Sequence, residues 1–130
     1  MAKITEHTIG LESFQLKGVT VQPVEVDHGS LPIYGYRFGE MAYLTDVKSI
    51  SAKERLKLKN LDVLVLNALR IAPHFSHLNL EEALAFVAEI NPKRTYFTHI
   101  SHHLGFHKEV SKTLPENVFL AYDGLEVTVE

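Results

Sequence analysis

The sequence contains no cysteine among its 130 residues. Disulfides, thiolate metal sites and cysteine nucleophiles are therefore all excluded. It also lacks any stretch that approaches the roughly 20 apolar residues of a membrane helix, and its first residues contain no apolar core of signal-peptide length. These absences predict a soluble, cytoplasmic protein with no membrane partner.

An excess of positive charge is missing as well. The chain has 13 basic and 16 acidic residues and a formal net charge of −3, so nucleic acid is not a favoured partner. Hydrophobic residues make up 45% of the chain, enough for a real core at this length. No internal repeat, low-complexity segment or linker interrupts the sequence, which predicts a single domain over residues 1–130.

Hydrophobic periodicity predicts strands at both ends of the chain and a βαβ order in the middle, which is typical of an α/β domain. The clearest helix is Asn79–Ile90, with apolar positions at Leu80, Ala83, Leu84, Val87 and Ala88, and Asn91-Pro92 should end it. The other predicted elements are strands at 18–26, 62–68 and 94–98, hairpins at 34–45 and 118–129, and a short helix at 51–57.

Six of the eight histidines lie in two clusters, 73–77 and 98–107. Imidazole is a common metal ligand and a common proton shuttle near neutral pH. This clustering makes a metal-assisted or acid/base site the first hypothesis.

Four polar residues each follow a predicted strand or precede a predicted helix: His28, Asp46, His77 and His99. Ligands of α/β proteins gather at the carboxyl ends of strands, so these positions indicate a common site. A single histidine at a strand end is more often a capping or surface residue, but His99 together with Asp46 favours a site.

Several histidines also have simpler interpretations. His77 could cap the following helix, although Ser76 or Asn79 would do so better. His102, His103 and His107 are consistent with a solvated loop, and His7 with the surface.

Longer stretches of the sequence resemble a known family. The segments 77–84 and 92–102, preceded by 34–38, 42–46 and 61–68, are similar to the C-terminal half of metallo-β-lactamase-fold hydrolases. The resemblance is to the branch that contains the cyclic phosphodiesterases of phosphonate breakdown and RNase Z. It covers the chain from about residue 18 to the C-terminus.

The resemblance implies a fold and a set of roles. The fold would be half of an αββα sandwich, a mixed sheet with helices on one face. His28, Asp46 and His99 would be ligands of zinc or manganese, with Asp46 bridging two ions. His77 would be the catalytic residue that protonates the leaving group or steadies the transition state.

The sequence departs from the family in one respect, because the motif His-x-His-x-Asp-His occurs nowhere in it. We therefore expect a half of the fold, from a fragment, a split gene product or a half-length relative. On its own it should be inactive or weakly active toward a small phosphodiester substrate.

A lone half would leave an apolar sheet face in water, so a homodimer or a complementary N-terminal half is the expected partner. The alternative from another functional class is a noncatalytic interaction module that keeps a relic or single-metal site.

Overall fold

Alternating apolar residues form a seven-stranded sheet at the centre of the computed structural model, which describes residues 2–129. The spatial order of the strands follows their order in the chain. The strands are β1 (Phe14–Leu16), β2 (Val19–His28), β3 (Leu31–Phe38), β4 (Met41–Leu44), β5 (Val63–Asn67), β6 (Arg94–Thr98) and β7 (Val118–Leu120).

The direction of pairing changes once across the sheet. Strands β1 to β4 pair antiparallel, whereas β4 to β7 pair parallel. Because β3 is antiparallel to both of its neighbours, β2 runs in the same direction as β4 to β7. The carboxyl ends of these five strands therefore meet at one edge of the sheet, the position at which α/β proteins commonly bind ligands.

The two predicted helices are present and begin at the predicted caps. Ser51 caps α1 (Ala52–Arg55), which continues into a 3₁₀ turn at Leu56–Leu58. Asn79 and Glu82 form a capping box at the start of α2 (Leu80–Ile90). The helix ends at Asn91, which has φ 53°. A second 3₁₀ turn (His102–Leu104) and α3 (His107–Ser111) follow β6.

The main core lies between the sheet and α2. Ala83 and Phe86 of α2 are buried against the sheet, and Leu84, Val87 and Ile90 pack at the margin of this core. The sheet contributes Ala42, Leu44, Leu64, Leu66, Phe97 and Leu120. The buried helix face is rotated slightly from the predicted one, because Ala88 is exposed while Phe86 is buried. The expected α/β fold is confirmed.

The opposite side of the sheet carries a row of large side chains, which we call the open face. In register across β3 to β7 the row consists of Tyr36, Tyr43, Val65, Tyr96 and Phe119. The Tyr96 and Phe119 rings stack with centroids 5.4 Å apart. Tyr43 and Phe119 remain 44% and 45% exposed, so part of this apolar row lies in water.

The predicted closing hairpin at 118–129 is wrong. Strand β7 ends at Leu120 and pairs in parallel with β6, and residues 125–129 form no strand. The chain turns where Leu125 N–H donates to the Tyr122 carbonyl, and the Thr128 carbonyl accepts a hydrogen bond from Arg94. The turn predicted at Asp123-Gly124 is present, but the segment after it contacts Arg94 and does not pair with β7.

The sequence patterns did not predict β1 or α3. Both are short, at three and five residues, and hydrophobic periodicity is weakest over such lengths. No helix within residues 2–129 is long and apolar enough to cross a membrane.

Replacing Thr95 by valine should stabilise the protein. Thr95 is 1% exposed between Leu64 and Val118 on the core face, and its hydroxyl has no hydrogen-bond partner among the described residues. Removing an unpaired buried hydroxyl without changing side-chain shape should raise the free energy of unfolding by about 1 kcal/mol. Urea denaturation measures this change.

Thr113→Val is the matched control, because the Thr113 hydroxyl donates to the Val110 carbonyl at 2.7 Å. This variant should not be stabilised. A loss of stability in Thr95→Val would contradict the prediction.

Candidate metal centre

The carboxyl edge of the sheet brings the four predicted site residues together. His28 is the last residue of β2, Asp46 lies two residues after β4, and His99 follows β6 directly. His77 comes from the loop between β5 and α2, which is tied to this edge where Leu78 N–H donates to the Val47 carbonyl at 2.8 Å.

The Asp46 carboxylate contacts two of the imidazoles. Its Oδ1 atom lies 3.0 Å from His77 Nε2 and 3.2 Å from His99 Nε2. The His77 and His99 rings stack with centroids 4.8 Å apart. The His77 side chain is only 11% exposed, whereas those of Asp46 and His99 are 42% and 45% exposed. The centre is thus open to solvent on the side of Asp46 and His99.

Backbone carbonyls fix the orientation of His28. Its Nδ1 atom lies 2.9 Å from the Asp46 carbonyl and 3.0 Å from the Ser76 carbonyl. Both groups accept hydrogen bonds, so Nδ1 carries the proton and Nε2 keeps a free lone pair. A carbonyl that orients imidazole in this way is the usual support of a metal-binding histidine.

Two overlapping sets of residues in the centre are candidates for metal ligands. The ligand atoms of His28, Asp46 and His77 all lie within 4.8 Å of one another. The family resemblance instead implies His28, Asp46 and His99. Both sets contain His28 and Asp46, while the separate roles of His77 and His99 stay predictions.

The donors fit a divalent metal ion. Imidazole nitrogens and a carboxylate oxygen are the ligand types of zinc, and manganese also accepts them. Three protein ligands with one solvent-exposed side match a catalytic site with open positions better than a closed structural site.

Two of the four residues have an unusual backbone conformation. Asp46 has φ 61° and His99 has φ 54°, in the left-handed region that residues other than glycine adopt rarely. Such strain is found at functional sites, where the surrounding structure enforces it. His99 is the first residue after β6 and Asp46 is the second after β4, so the left-handed conformation occurs where the chain leaves the sheet.

Asn67, the last residue of β5, holds the backbone beside Asp46. It is fully buried, its Oδ1 accepts from Val47 N–H at 2.8 Å and its Nδ2 donates to the Val47 carbonyl at 3.0 Å. This pair of bonds fixes the residue that follows Asp46 and thereby the direction of the Asp46 turn.

Replacing Asn67 by alanine should destabilise the protein by about 2 kcal/mol, because it leaves the buried Val47 N–H without its partner and removes one of the two hydrogen bonds to the Val47 carbonyl. Chemical denaturation measures the loss. Asn67→Asp is the informative companion, since its carboxylate can accept from the N–H but repels the carbonyl. A fully stable Asn67→Ala variant would contradict this account of the Asp46 turn.

The loop that carries His77 also contains His74, whose pKa is shifted by its surroundings. Partial burial, with the nearby Arg70, His77, Lys48 and His28, lowers the pKa of His74 below its usual value. His74 is therefore mainly neutral at pH 7. Its ring lies 5.1 Å from that of His77 and stacks on Phe75.

A negative group lies near the other end of this loop. Burial tends to raise the pKa of Glu82, but the hydrogen bonds from Lys48 and the Asn79 backbone outweigh it and lower the pKa. Lys48 Nζ lies 2.9 and 3.0 Å from the two carboxylate oxygens. This ion pair joins the loop after Asp46 to the start of α2.

The remaining histidines of the second cluster have other contacts. The His102 and His103 rings pack on each other, and His107 Nε2 lies 3.4 Å from the Leu120 carbonyl. A cavity of about 360 Å³ lies beside His99 and is lined also by Thr98, Ile100, Ala121, Tyr122 and Asp123.

Sequence reasoning missed Asn67 as part of the centre and considered Ser76 only as a helix cap. Asn67 had one usable signal, since it is a polar residue in an otherwise apolar strand. Ser76 had none, because its contacts depend on how the loop folds.

Residues 2–100 match the family model of the β-lactamase superfamily domain. The chain belongs to this superfamily. A crystal structure of a diphosphatase from the PhnP family superposes with a TM-score of 0.92 at 44% sequence identity, over 95% of this chain and 49% of that one. Human tRNase Z, short form, superposes with a TM-score of 0.70 at 20% identity, over 90% and 44% of the two chains. The metallo-β-lactamase fold and the resemblance to the PhnP and RNase Z branch are confirmed.

A curated relative extends over a longer protein. The chain is 41% identical over 118 residues to an octanoyltransferase of Porphyromonas gingivalis, which covers 90% of this chain and 24% of that protein. The chain thus spans about half the length of the diphosphatase and about a quarter of the octanoyltransferase.

Proposed function

We propose that this chain supplies half of the active site of a metal-dependent phosphodiesterase. The superfamily and the PhnP-family relative support a metal-dependent hydrolase. The observation that carries the finer proposal is the convergence of the Asp46 carboxylate with His28, His77 and His99 at the carboxyl edge of the sheet.

His28 Nε2, the Asp46 carboxylate and His99 Nε2 would hold the metal, with zinc or manganese as the proposed ions. A divalent ion there would polarise a phosphoryl oxygen and lower the pKa of a water. The lone pair of His28 Nε2 is available because the two carbonyls fix the proton on Nδ1. Asp46 is exposed on one side and can serve more than one cation.

His77 would provide the proton for the leaving group. Its Nε2 faces the acceptor Asp46 Oδ1 at 3.0 Å and therefore carries the proton in this arrangement. The ring is nearly buried, so its direction is fixed. A proton on Nε2 at the centre is suited to general acid catalysis of phosphodiester cleavage.

A second sheet would complete the site. The open face leaves Tyr43 and Phe119 about half exposed, and each lies one residue before the carboxyl end of its strand. Packing against another sheet would bury these rings. In a solution of this chain alone we propose that a second copy covers the face, and in a complete enzyme a complementary half that carries His-x-His-x-Asp-His.

The competing proposal is a noncatalytic module with a single-metal site. The compact grouping of His28, Asp46 and His77 supports this alternative, because His77 would then be a metal ligand and would not serve as the general acid. Catalysis separates the two proposals, whereas metal binding alone does not.

The test mixes this chain with the half of the PhnP-family diphosphatase that it does not match. Hydrolysis of bis(p-nitrophenyl) phosphate is measured with zinc or manganese for each half alone and for the mixture. We expect clear hydrolysis only in the mixture, and its loss with Asp46→Asn but not with His103→Ala. Stoichiometric metal binding without hydrolysis in the mixture would support the module instead.

A further inference from the structure

Ser76 contacts three histidines through three different atoms. The residue lies in the loop between β5 and α2 and is 5% exposed. Its carbonyl accepts from His28 Nδ1, its N–H donates to His74 Nδ1, and its hydroxyl lies beside His77 Nδ1. The Ser76 hydroxyl therefore contacts His74 and His77, whereas the contact with His28 is made by the Ser76 carbonyl.

The hydroxyl has two nitrogens within reach. Ser76 Oγ lies 3.0 Å from His77 Nδ1 and 3.2 Å from His74 Nδ1. The lone pair of His74 Nδ1 is already occupied by the Ser76 N–H at 3.2 Å. The hydroxyl has a single proton and the His74 lone pair is taken, so His77 Nδ1 is the favourable acceptor for that proton.

This assignment determines the tautomer of His77. A neutral imidazole that accepts at Nδ1 carries its proton on Nε2. His77 Nε2 lies 3.0 Å from Asp46 Oδ1, so both contacts of the ring favour the same tautomer. When a cation binds the Asp46 carboxylate, the hydrogen bond from the Ser76 hydroxyl still favours the Nε2–H tautomer of His77.

We propose that Ser76 is a positioning residue that fixes the Nε2–H tautomer of His77 and so aims its proton at the centre. The value of that proton for catalysis rests on the proposed function. The tautomer itself is a property of the chain and can be measured without activity.

The experiment records long-range proton–nitrogen spectra of the ¹⁵N-labelled, metal-free chain, with His77 assigned through His77→Gln. In the native chain we expect Nε2–H as the main tautomer. Ser76→Ala should shift the tautomer ratio of His77 toward Nδ1–H by about five-fold, the scale of one ordinary hydrogen bond. Ser76→Thr keeps the hydroxyl and should keep the native ratio.

Ser101→Ala is the matched control, because the Ser101 hydroxyl accepts from the backbone N–H of His103, which lies outside the candidate centre. It should leave the His77 signals unchanged. A native chain with mainly Nδ1–H at His77 would overturn the proposal, even if Ser76→Ala does not fold. Identical His77 nitrogen shifts in Ser76→Ala and the native chain would also overturn it.

A second readout uses the reconstituted enzyme. Ser76→Ala should lower kcat by about ten-fold with metal content and KM unchanged, because the carbonyl contact with His28 remains. If the mixture of halves is inactive, the proposed function fails while the tautomer result stands. If the mixture is active and the tautomer does not respond, the role of Ser76 fails.

Discussion

Replacing His77 by alanine should lower the rate of phosphodiester cleavage by about 100-fold or more in the reconstituted enzyme while leaving the metal content intact. Loss of a positioned general acid has this scale. The geometry supports a large effect, because the ring is nearly buried and its Nε2 faces Asp46 at 3.0 Å. Steady-state kinetics combined with metal analysis of the same sample measures both quantities.

The His77→Ala experiment also decides whether His77 is a metal ligand or a catalytic residue. If His77 is a metal ligand with His28 and Asp46, the alanine variant loses metal and activity together. His103→Ala controls for the removal of an imidazole, since that ring packs on His102. Metal loss in parallel with rate loss would mean that the predicted catalytic role is wrong.

Placing glutamate at both Tyr43 and Phe119 should weaken self-association by about 100-fold or more. Burial of apolar surface stabilises an interface by about 25 cal/mol per Å², and an unpaired carboxylate is costly to bury. These two rings are the half-exposed members of the open face. Analytical ultracentrifugation over a micromolar concentration range measures the dissociation constant.

Leu56→Glu is the control for added negative charge. Leu56 is 62% exposed in the turn after α1 and does not belong to the open face. It should leave association unchanged. A native chain that is monomeric at micromolar concentration would contradict association through a second copy, and binding of the complementary half would then identify the other occupant.

The sequence predicts the elements in which local and tertiary preferences agree. The apolar run that forms β5 and the periodic pattern of α2 both have one interpretation, and Asn79 and Asn91 mark the helix ends. The segment 125–129 has the alternation of a strand, but no strand pairs with it. Strand pairing is a tertiary property that the local pattern does not contain.

The sequence predicts the residue types of the candidate centre and their positions at the ends of elements. The sequence indicates His28, Asp46, His77 and His99, because each lies next to a predicted element. It does not contain the distances that group His77 with His28 and Asp46. Nor does it reveal the contacts of Asn67 with Val47 or of Ser76 with three histidines, which arise only when distant loops meet.

The left-handed backbone at Asp46 and His99 affects which substitutions such a chain could accept during evolution. Glycine at either position would relieve about 1 kcal/mol of strain. A protein released from selection for this centre could therefore gain thermal stability by a single substitution at either position. The backbone strain at Asp46 and His99 is a cost to the stability of the fold. The melting temperatures of Asp46→Gly and His99→Gly, compared with those of the matching alanine variants, would measure that cost, because both variants of each pair lose the same side-chain contacts.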